Sequence, residues 1–384
     1  MLRVMRWIGC GLLCLSIWIT PGQIHAQEQK LPQVSAEAAA LIDGSTGRIL
    51  YEKNADSQMK IASITKVMTA ILAIEHGDLE EEVTVTSRAE GVEGSSIYLK
   101  AGEKIPLEHL LYGLMLRSGN DAAVAIAEHI GGSVEGFVHM MNEKVDYLGL
   151  ANTHFANPHG LDDPQHYSTA ADFARISAYA LQNSEFQEIV QSKVATVPWP
   201  GEEWNRKWYN KNKMLRMYEG ADGVKTGYTK RSGRTLVSSA TRDRRQLITV
   251  TLNAPDDWND SMQMFEYGFQ YYPLRELVAE GESVQAEIQT SKDKMIHLTA
   301  GRSFAYPLTD GEADEIRMEP LVTTPLNQIS KAGQEVGTMR IYFQEEMIGS
   351  VPIQVNVEET EEGFLSSWVK VLARVLGWKE GEKI

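Results

Sequence analysis

The order of strand and helix patterns along residues 38–272 most constrains how this chain can fold. Apolar segments typical of strands lie towards both ends of this stretch, and apolar residues at helical spacing occupy its middle. This order predicts one α/β (α+β) unit with a largely antiparallel sheet flanked by helices. The predicted strands are 38–42, 48–51, 193–199, 235–240 and 246–252, and the predicted helices are 63–75, 106–116, 121–130, 134–148, 168–181 and 257–272.

Residues 1–26 differ in character from the rest of the chain. Two arginines precede a short apolar run, Pro21 interrupts that run, and Ala26 supplies a small residue of the kind found at cleavage sites. This arrangement predicts a secretory signal peptide. An uncleaved membrane anchor is the alternative, although the run is short for a span. Both cysteines of the chain lie here, so the exported protein would contain no disulfide.

The pattern changes again near Pro273. Residues 283–357 form short alternating segments separated by Gly and Asp turns, which predict a small all-β domain that acts as a spacer or docking module. Residues 361–380 predict a C-terminal amphipathic helix with tryptophans on its apolar face. Such a helix suits a membrane surface, and docking on the protein's own core is the alternative. With the signal peptide at 1–26, the main domain is predicted to span 32–275.

The charge balance argues against one class of partner. The chain of 384 residues carries 37 basic and 52 acidic side chains, a formal net charge of −15. Removal of residues 1–26 takes away two arginines and no acidic residue, which makes the charge −17. A protein this acidic is a poor general binder of nucleic acid, so we expect no nucleic-acid partner.

Segment 61–70 carries the first chemical motif. Ser63 and Lys66 lie three residues apart at the start of a predicted helix, so their side chains share one face. A serine hydroxyl becomes a good nucleophile when a base removes its proton, and a desolvated, neutral lysine amine can be that base. The spacing alone is weak evidence, because it recurs elsewhere in the chain, for example at Ser57 and Lys60.

A second motif lies at the predicted break between two helices. Ser118 could relay a proton to a leaving amine, and Asn120 could position Lys66 and bond an amide of the substrate. Each residue also has an ordinary explanation, since Ser118 suits a turn and Asn120 suits a helix N-cap.

A third motif precedes the predicted hairpin that begins near Thr235. Lys225 and Thr226 suit recognition of a terminal carboxylate, and Gly227 would let an extended substrate backbone approach closely. Any one of the three motifs could be coincidental. Their occurrence in this order, each in a fitting structural context, points to a serine acyl-transfer site.

With these motifs, the chain resembles the low-molecular-mass penicillin-binding proteins of the D-alanyl-D-alanine carboxypeptidase family. The likeness covers about residues 32–272 well and extends more loosely to the β domain and the amphipathic tail. Further segments that carry it are 43–47, 157–161, 166–172, 210–212 and 222–229.

The resemblance implies a β-lactamase/transpeptidase-like fold and a serine-type hydrolase. Its substrates would be peptidoglycan stem peptides, which lose their terminal D-alanine through an acyl-enzyme at Ser63 and its hydrolysis. The backbone N–H groups of Ser63 and Tyr228 would form the oxyanion hole; many relatives carry His at the position of Tyr228. Penicillins would acylate Ser63. No metal or cofactor is expected, and the place of action would be the outer face of the cell membrane.

Three alternatives use the same residues differently. A serine β-lactamase would need an extra base, and no Glu-x-x-x-Asn segment lies between Ser118 and Lys225. A non-catalytic cell-wall-binding protein would not need the complete set of nucleophile and base. D,D-endopeptidase activity or transpeptidation would use the same groups, and the sequence does not distinguish them from carboxypeptidase activity.

Overall fold

The computed structural model describes residues 30–199, 201–290, 294–324 and 331–358. The predictions for residues 1–26 and 361–380 lie outside them. The strands are β1 Ala38–Asp43, β2 Ile49–Lys53, β3 Glu82–Thr84, β4 Lys104–Pro106, β5 Val194–Val197, β6 Arg206–Tyr209, β7 Ala221–Thr229, β8 Gly233–Arg242, β9 Arg245–Leu252, β10 Leu274–Val278, β11 Ser283–Thr290, β12 Lys294–Ala300, β13 Phe304–Pro307, β14 Ile316–Val322, β15 Glu335–Phe343 and β16 Glu346–Glu358. The helices are α1 Lys66–His76, α2 Leu107–Arg117, α3 Asn120–Gly131, α4 Val134–Tyr147, α5 Ala170–Ala180, α6 Ser184–Gln191, α7 Met214–Met217 and α8 Asp257–Tyr271.

A five-stranded antiparallel sheet in the order β2-β1-β9-β8-β7 forms the centre of the first part of the chain. Strand β1 is buried on both faces, and its alternate side chains enter two separate cores. Ala38, Ala40 and Ile42 pack with the helices between β2 and β7, whereas Ala39 and Leu41 pack with α8. The predicted fold class, an antiparallel sheet with helices on both faces, is confirmed.

The predicted helices are present, with one difference at the first. Residues Ala62–Thr65 form a turn of 3₁₀-helix, and the α-helix proper begins at Lys66. Thr169 caps α5, because its hydroxyl accepts the N–H of Asp172 at 3.0 Å. The predicted strand at 193–199 exists as β5, but it pairs with β6 outside the main sheet. Helix α6 was not predicted. The third motif, which we expected at the edge of the sheet, lies on the edge strand β7.

The second β region holds a five-stranded antiparallel sheet in the order β11-β12-β16-β15-β14. Its core includes Leu298, Ile341, Val351 and Ile353. Strand β10 pairs with β13 in a separate two-stranded sheet. Within the described ranges, no helix is both long and apolar enough to cross a bilayer.

Candidate active site

Three separate segments bring the predicted residues to one pocket. Ser63 lies in the turn before α1, Ser118 lies between α2 and α3, and Thr226 to Tyr228 lie on the edge strand β7. A cavity of about 500 Å³ opens among them. It is lined by Ser63, Ser95, Ser118, Lys211, Thr226, Gly227, Tyr228, Arg234, Asp257 and Trp258.

Lys66 lies beneath Ser63 with no exposed surface. Its Nζ is 3.1 Å from Ser63 Oγ, 2.7 Å from Asn120 Oδ1 and 2.6 Å from the carbonyl oxygen of His159. Asn120 is oriented by its own amide, since Nδ2 donates to the carbonyl of Glu93 at 2.6 Å. Two of the three partners of Lys66 are therefore carbonyl-type oxygens that can only accept hydrogen bonds.

The surroundings of Lys66 disfavour its charged form. Burial is the main cause that holds the pKa of Lys66 well below its ordinary value of 10.5, and the nearby ammonium groups of Lys225 and then Lys211 lower it further. The negative charge of Asp121 acts in the opposite direction and raises this pKa. A neutral amine has two N–H donors and one lone pair. If the donors go to Asn120 and His159, the lone pair faces the hydroxyl of Ser63.

Ser118 ends α2 in a left-handed backbone conformation, with φ +66°. Its side chain is nearly buried and still lines the same pocket as Ser63. Non-glycine residues in this conformation are strained, and such residues cluster at functional sites. Asn120 begins α3 two residues later, so the abrupt change between the two helices places both side chains at the site.

The third motif divides between the interior and the pocket. Lys225 is 2% exposed, and its Nζ donates to the carbonyl of Thr226 at 2.7 Å. Burial and the charge of Lys211 lower the pKa of Lys225 to about 7. Thr226 and Tyr228 line the pocket, and Tyr228 is 66% exposed. A Cβ added to Gly227 would lie 2.9 Å from the backbone nitrogen of Ser63, so only glycine permits this approach.

Several residues at the site were not identified from the sequence. The loop 157–161 acts through backbone carbonyls, because Pro158 accepts from Thr69 at 2.6 Å and His159 accepts from Lys66. Lys211 belongs to segment 210–212, which supports the family resemblance, but the sequence analysis assigned no role to this residue. Every residue has a backbone carbonyl, so the amino-acid sequence does not indicate which carbonyls act as acceptors at the site.

The sequence analysis also missed Arg234. It follows the turn after β7 and is the Cα partner of Tyr228 in the β7–β8 pair. Nε and Nη2 of Arg234 donate to one oxygen of Asp257, at 3.1 and 2.6 Å, and its guanidinium lies 5.7 Å from the Trp258 ring. The side chain is 43% exposed. It therefore presents a fixed positive charge to the pocket.

Comparison with known proteins agrees with this geometry. Residues 25–256 match the family described as D-alanyl-D-alanine carboxypeptidase, and residues 272–361 match the C-terminal domain of penicillin-binding protein 5. The D-alanyl-D-alanine carboxypeptidase DacF of Bacillus subtilis is 32% identical, over 95% of this chain and 97% of its own length. DacC of Escherichia coli, which carries the same enzyme name, is 30% identical over 98% of this chain and 97% of its own.

Solved structures give the same result. Penicillin-binding protein 5 from Haemophilus influenzae aligns with a TM-score of 0.68 at 29% identity and covers 86% of this chain and 99% of its own. A variant of the DD-transpeptidase of Streptomyces K15 aligns with a TM-score of 0.60 at 34% identity, over 62% of this chain and 99% of its own. The chain therefore belongs to the D-alanyl-D-alanine carboxypeptidase family of serine peptidases.

Proposed function

We propose that this protein removes the terminal D-alanine from peptidoglycan stem peptides through a covalent intermediate at Ser63. The observation that carries the proposal is the position of Lys66, buried and 3.1 Å from Ser63 Oγ, with two carbonyl-type oxygens in contact with the same amine. That arrangement suits a general base that must be neutral before it acts.

The chemical steps follow from this geometry. Ser63 Oγ attacks the carbonyl carbon of the penultimate D-alanine while Lys66 Nζ takes the hydroxyl proton. The tetrahedral intermediate collapses, the peptide C–N bond breaks, and the leaving amine of the terminal D-alanine takes up a proton from Lys66 by way of Ser118. Water then attacks the ester carbonyl while Lys66 takes one of its protons, the ester C–O bond breaks, Ser63 Oγ recovers that proton from Lys66, and the shortened peptide leaves as a carboxylic acid. The N–H groups of Ser63 and Tyr228 would stabilise the negative charge on the carbonyl oxygen in both halves.

Recognition of the terminal carboxylate is proposed for the other side of the pocket. Thr226 offers a hydroxyl, and Lys225 contributes positive charge from beneath the strand. Arg234 is better placed for direct contact, because it is partly exposed and Asp257 holds it with two of its donors, while Nη1 makes no hydrogen bond to another described residue. We therefore include Arg234 among the substrate-binding residues.

A β-lactamase is disfavoured by the residues around the nucleophile. Among the described residues that line the pocket, the only carboxylate is that of Asp257, which pairs with Arg234. Asp121 lies behind Lys66, but its carboxylate accepts the N–H groups of Ile97 and Leu99. Rapid hydrolysis of a penicilloyl ester needs a base at the ester, and no side chain here supplies a carboxylate for it.

The cellular setting is part of the same proposal. A signal peptide at 1–26 would export the chain, and an amphipathic helix at 361–380 would hold it against the membrane surface. Penicillins, which resemble the scissile amide, would acylate Ser63 and remain bound for long periods.

The proposal is tested by D-alanine release from an N-acylated peptide that ends in Lys-D-Ala-D-Ala. The full chain should release D-alanine, and the Ser63→Ala variant should not. Ser57→Ala is the matched control, because Ser57 has the same spacing to a lysine but lies outside the pocket. Equal release by Ser63→Ala and the unmodified chain would refute Ser63 as the nucleophile. No release by any folded variant would refute the carboxypeptidase activity.

A further inference from the structure

His166 is a buried titratable residue that the proposed mechanism does not use. It is 1% exposed and packs edge-on against Phe155, with ring centroids 5.6 Å apart. Its Nδ1 accepts the N–H of Ala156 at 3.1 Å. A nitrogen that accepts cannot carry a hydrogen, so the proton of the neutral ring lies on Nε2.

The Nε2 proton is directed at the hydroxyl of Thr65, and that hydroxyl contacts the carbonyl of Ala62. Nε2 of His166 lies 2.7 Å from Thr65 Oγ1, and Thr65 Oγ1 lies 2.7 Å from the carbonyl oxygen of Ala62. Because a carbonyl oxygen can only accept, the Thr65 hydroxyl donates to Ala62 and accepts from His166. The hydrogen bonds therefore run in one direction, from Ala156 through His166 and Thr65 to Ala62.

The end of this chain of bonds is the peptide that precedes the nucleophile. The carbonyl of Ala62 and the N–H of Ser63 belong to one planar peptide unit and point in opposite directions. Ala62 has φ +49°, a left-handed conformation that is strained for a residue with a side chain. The direction of the Ser63 N–H therefore depends on what holds the Ala62 carbonyl.

A second contact restricts the same carbonyl. Gly160 approaches so closely that a Cβ at its position would lie 1.9 Å from the Ala62 oxygen and 2.9 Å from Thr65 Oγ1. Thr65 and Gly160 thus confine the oxygen between them. On the opposite side of the peptide, β7 approaches closely, because Gly227 has no side chain and a Cβ there would lie 2.9 Å from the Ser63 nitrogen.

We infer that Thr65 and His166 are positioning residues, which aim the Ser63 N–H at the oxyanion by fixing the Ala62–Ser63 peptide. His166 acts through Thr65, because it orients the hydroxyl that holds the Ala62 carbonyl. Burial, with the charge of Lys60 next, lowers the pKa of His166 to about 3. The neutral ring that this network requires is thus retained at neutral pH. The inference rests on the proposed function, in which the Ser63 N–H stabilises the oxyanion.

The test compares Thr65→Val with Thr65→Ser in the full chain. Valine has the same shape as threonine but no hydroxyl, whereas serine keeps the hydroxyl. Removal of an oxyanion donor costs about 10²–10³-fold in kcat, so a misdirected donor in Thr65→Val should cost about 10- to 100-fold. KM should stay within about twofold, since ground-state binding is unchanged. Thr65→Ser should retain most activity.

A boronic acid analogue of D-alanine adds a readout that a general packing defect would not move. It forms a tetrahedral adduct whose oxygen occupies the oxyanion hole, so its affinity should fall in parallel with kcat/KM in Thr65→Val. The inference is wrong if Thr65→Val folds, as judged by its thermal transition, and its kcat and its affinity for the analogue equal those of the unmodified chain.

His166→Phe provides an independent route, because it keeps the ring packing and removes the donor. It should lower kcat about tenfold by itself and add nothing to Thr65→Val in the double variant, since coupled residues are not additive. Independent, multiplicative losses would overturn the role of His166. His154→Phe is the matched control on the same loop and should leave kcat unchanged. If the unmodified chain itself releases no D-alanine, the proposed function has failed instead.

Discussion

At the scale of single residues, the site combines several cations in a confined space. Lys66 and Lys225 are both buried, and Lys211 and Arg234 line the pocket. Burial and the charges of Lys225 and Lys211 hold the pKa of Lys66 well below its ordinary value, which favours the neutral base, while the charges of Lys211 and Arg234 attract an anionic substrate. These cations therefore favour catalysis at the expense of stability.

Lys225 should reveal that cost in the pH dependence of unfolding. Its pKa is lowered from 10.5 to about 7 in the folded protein. Between pH 7 and pH 10.5 the unfolded chain therefore binds more protons at Lys225 than the folded chain does. The burial of Lys225 lowers the free energy of unfolding at pH 7, and this loss becomes smaller as the pH rises towards 10.5. Lys225→Met should be more stable than the unmodified chain at pH 7, and the difference should shrink by pH 9.

Urea unfolding at pH 7, 8 and 9 measures this effect, with the exposed Lys207→Met as control. A constant difference across this range would contradict the burial of a protonatable Lys225. Lys225→Met should also lose most of its D-alanine release. The variant would then be more stable but less active than the unmodified chain, so the loss of activity could not be attributed to unfolding.

Arg234 should determine preference for a free C-terminal carboxylate. Hydrogen bonds to a charged group contribute about 1.5–3 kcal/mol, so Arg234→Gln should raise KM about tenfold or more for the free peptide. A peptide with a C-terminal amide should show little change. Arg231→Gln, three residues earlier on the exposed turn, is the matched control. Equal effects on both peptides would contradict direct contact with the carboxylate.

At the scale of elements, the decisive contact is between the edge strand β7 and the turn that carries Ser63. The local spacing of Ser63 and Lys66 follows from one helical turn and could be read from the sequence. The approach of β7 was implied by the family resemblance, which placed the N–H groups of Ser63 and Tyr228 together. The residue pattern alone did not predict it, because the Gly, Lys and Thr residues of β7 lack the alternation by which strands are recognised. The contact of Arg234 with α8 also escaped prediction, since Arg234 and Asp257 lie 23 residues apart in the sequence and no local pattern links them.

Gly227→Ala tests this contact. The added methyl would lie 2.4 Å from Thr235 Oγ1 and 2.9 Å from the Ser63 nitrogen, so β7 must move away from the turn. A displacement of about 1 Å near reacting groups can cost 10²-fold in rate, and we expect a loss of that order in kcat/KM. Gly311→Ala, where nothing lies within 4 Å, should have no effect. Full activity of Gly227→Ala would contradict the close approach.

At the scale of the whole molecule, Arg48 connects the catalytic sheet to the second β region. Its Nη2 lies 2.6 Å from Glu312, its Nη1 donates to the carbonyl of Pro307, and its guanidinium stacks on Tyr272, Tyr306 and Phe343. The side chain is 10% exposed. The alternating segments of the second region allowed its strands to be expected, but a single arginine in an aromatic cage has no sequence signature.

Arg48→Ala should lower the free energy of unfolding by about 2 kcal/mol, because it removes a nearly buried guanidinium from three aromatic rings and leaves the partly exposed carboxylate of Glu312 without its partner. Activity of the folded variant on the short peptide should be unchanged, since Arg48 lies outside the pocket. Arg88→Ala, which removes an exposed ion pair with Glu135, should have little effect, because solvent screens exposed charges. Urea unfolding measures both, and equal small losses would contradict the connecting role of Arg48.

The most direct test of the whole account is to trap the covalent intermediate. The full chain is incubated with a penicillin, its intact mass is measured, and the modified peptide is sequenced by mass spectrometry. The account predicts one adduct per chain, located on Ser63, present in Ser57→Ala and absent from Ser63→Ala. An adduct on another residue, or D-alanine release by a chain that forms no adduct, would contradict it.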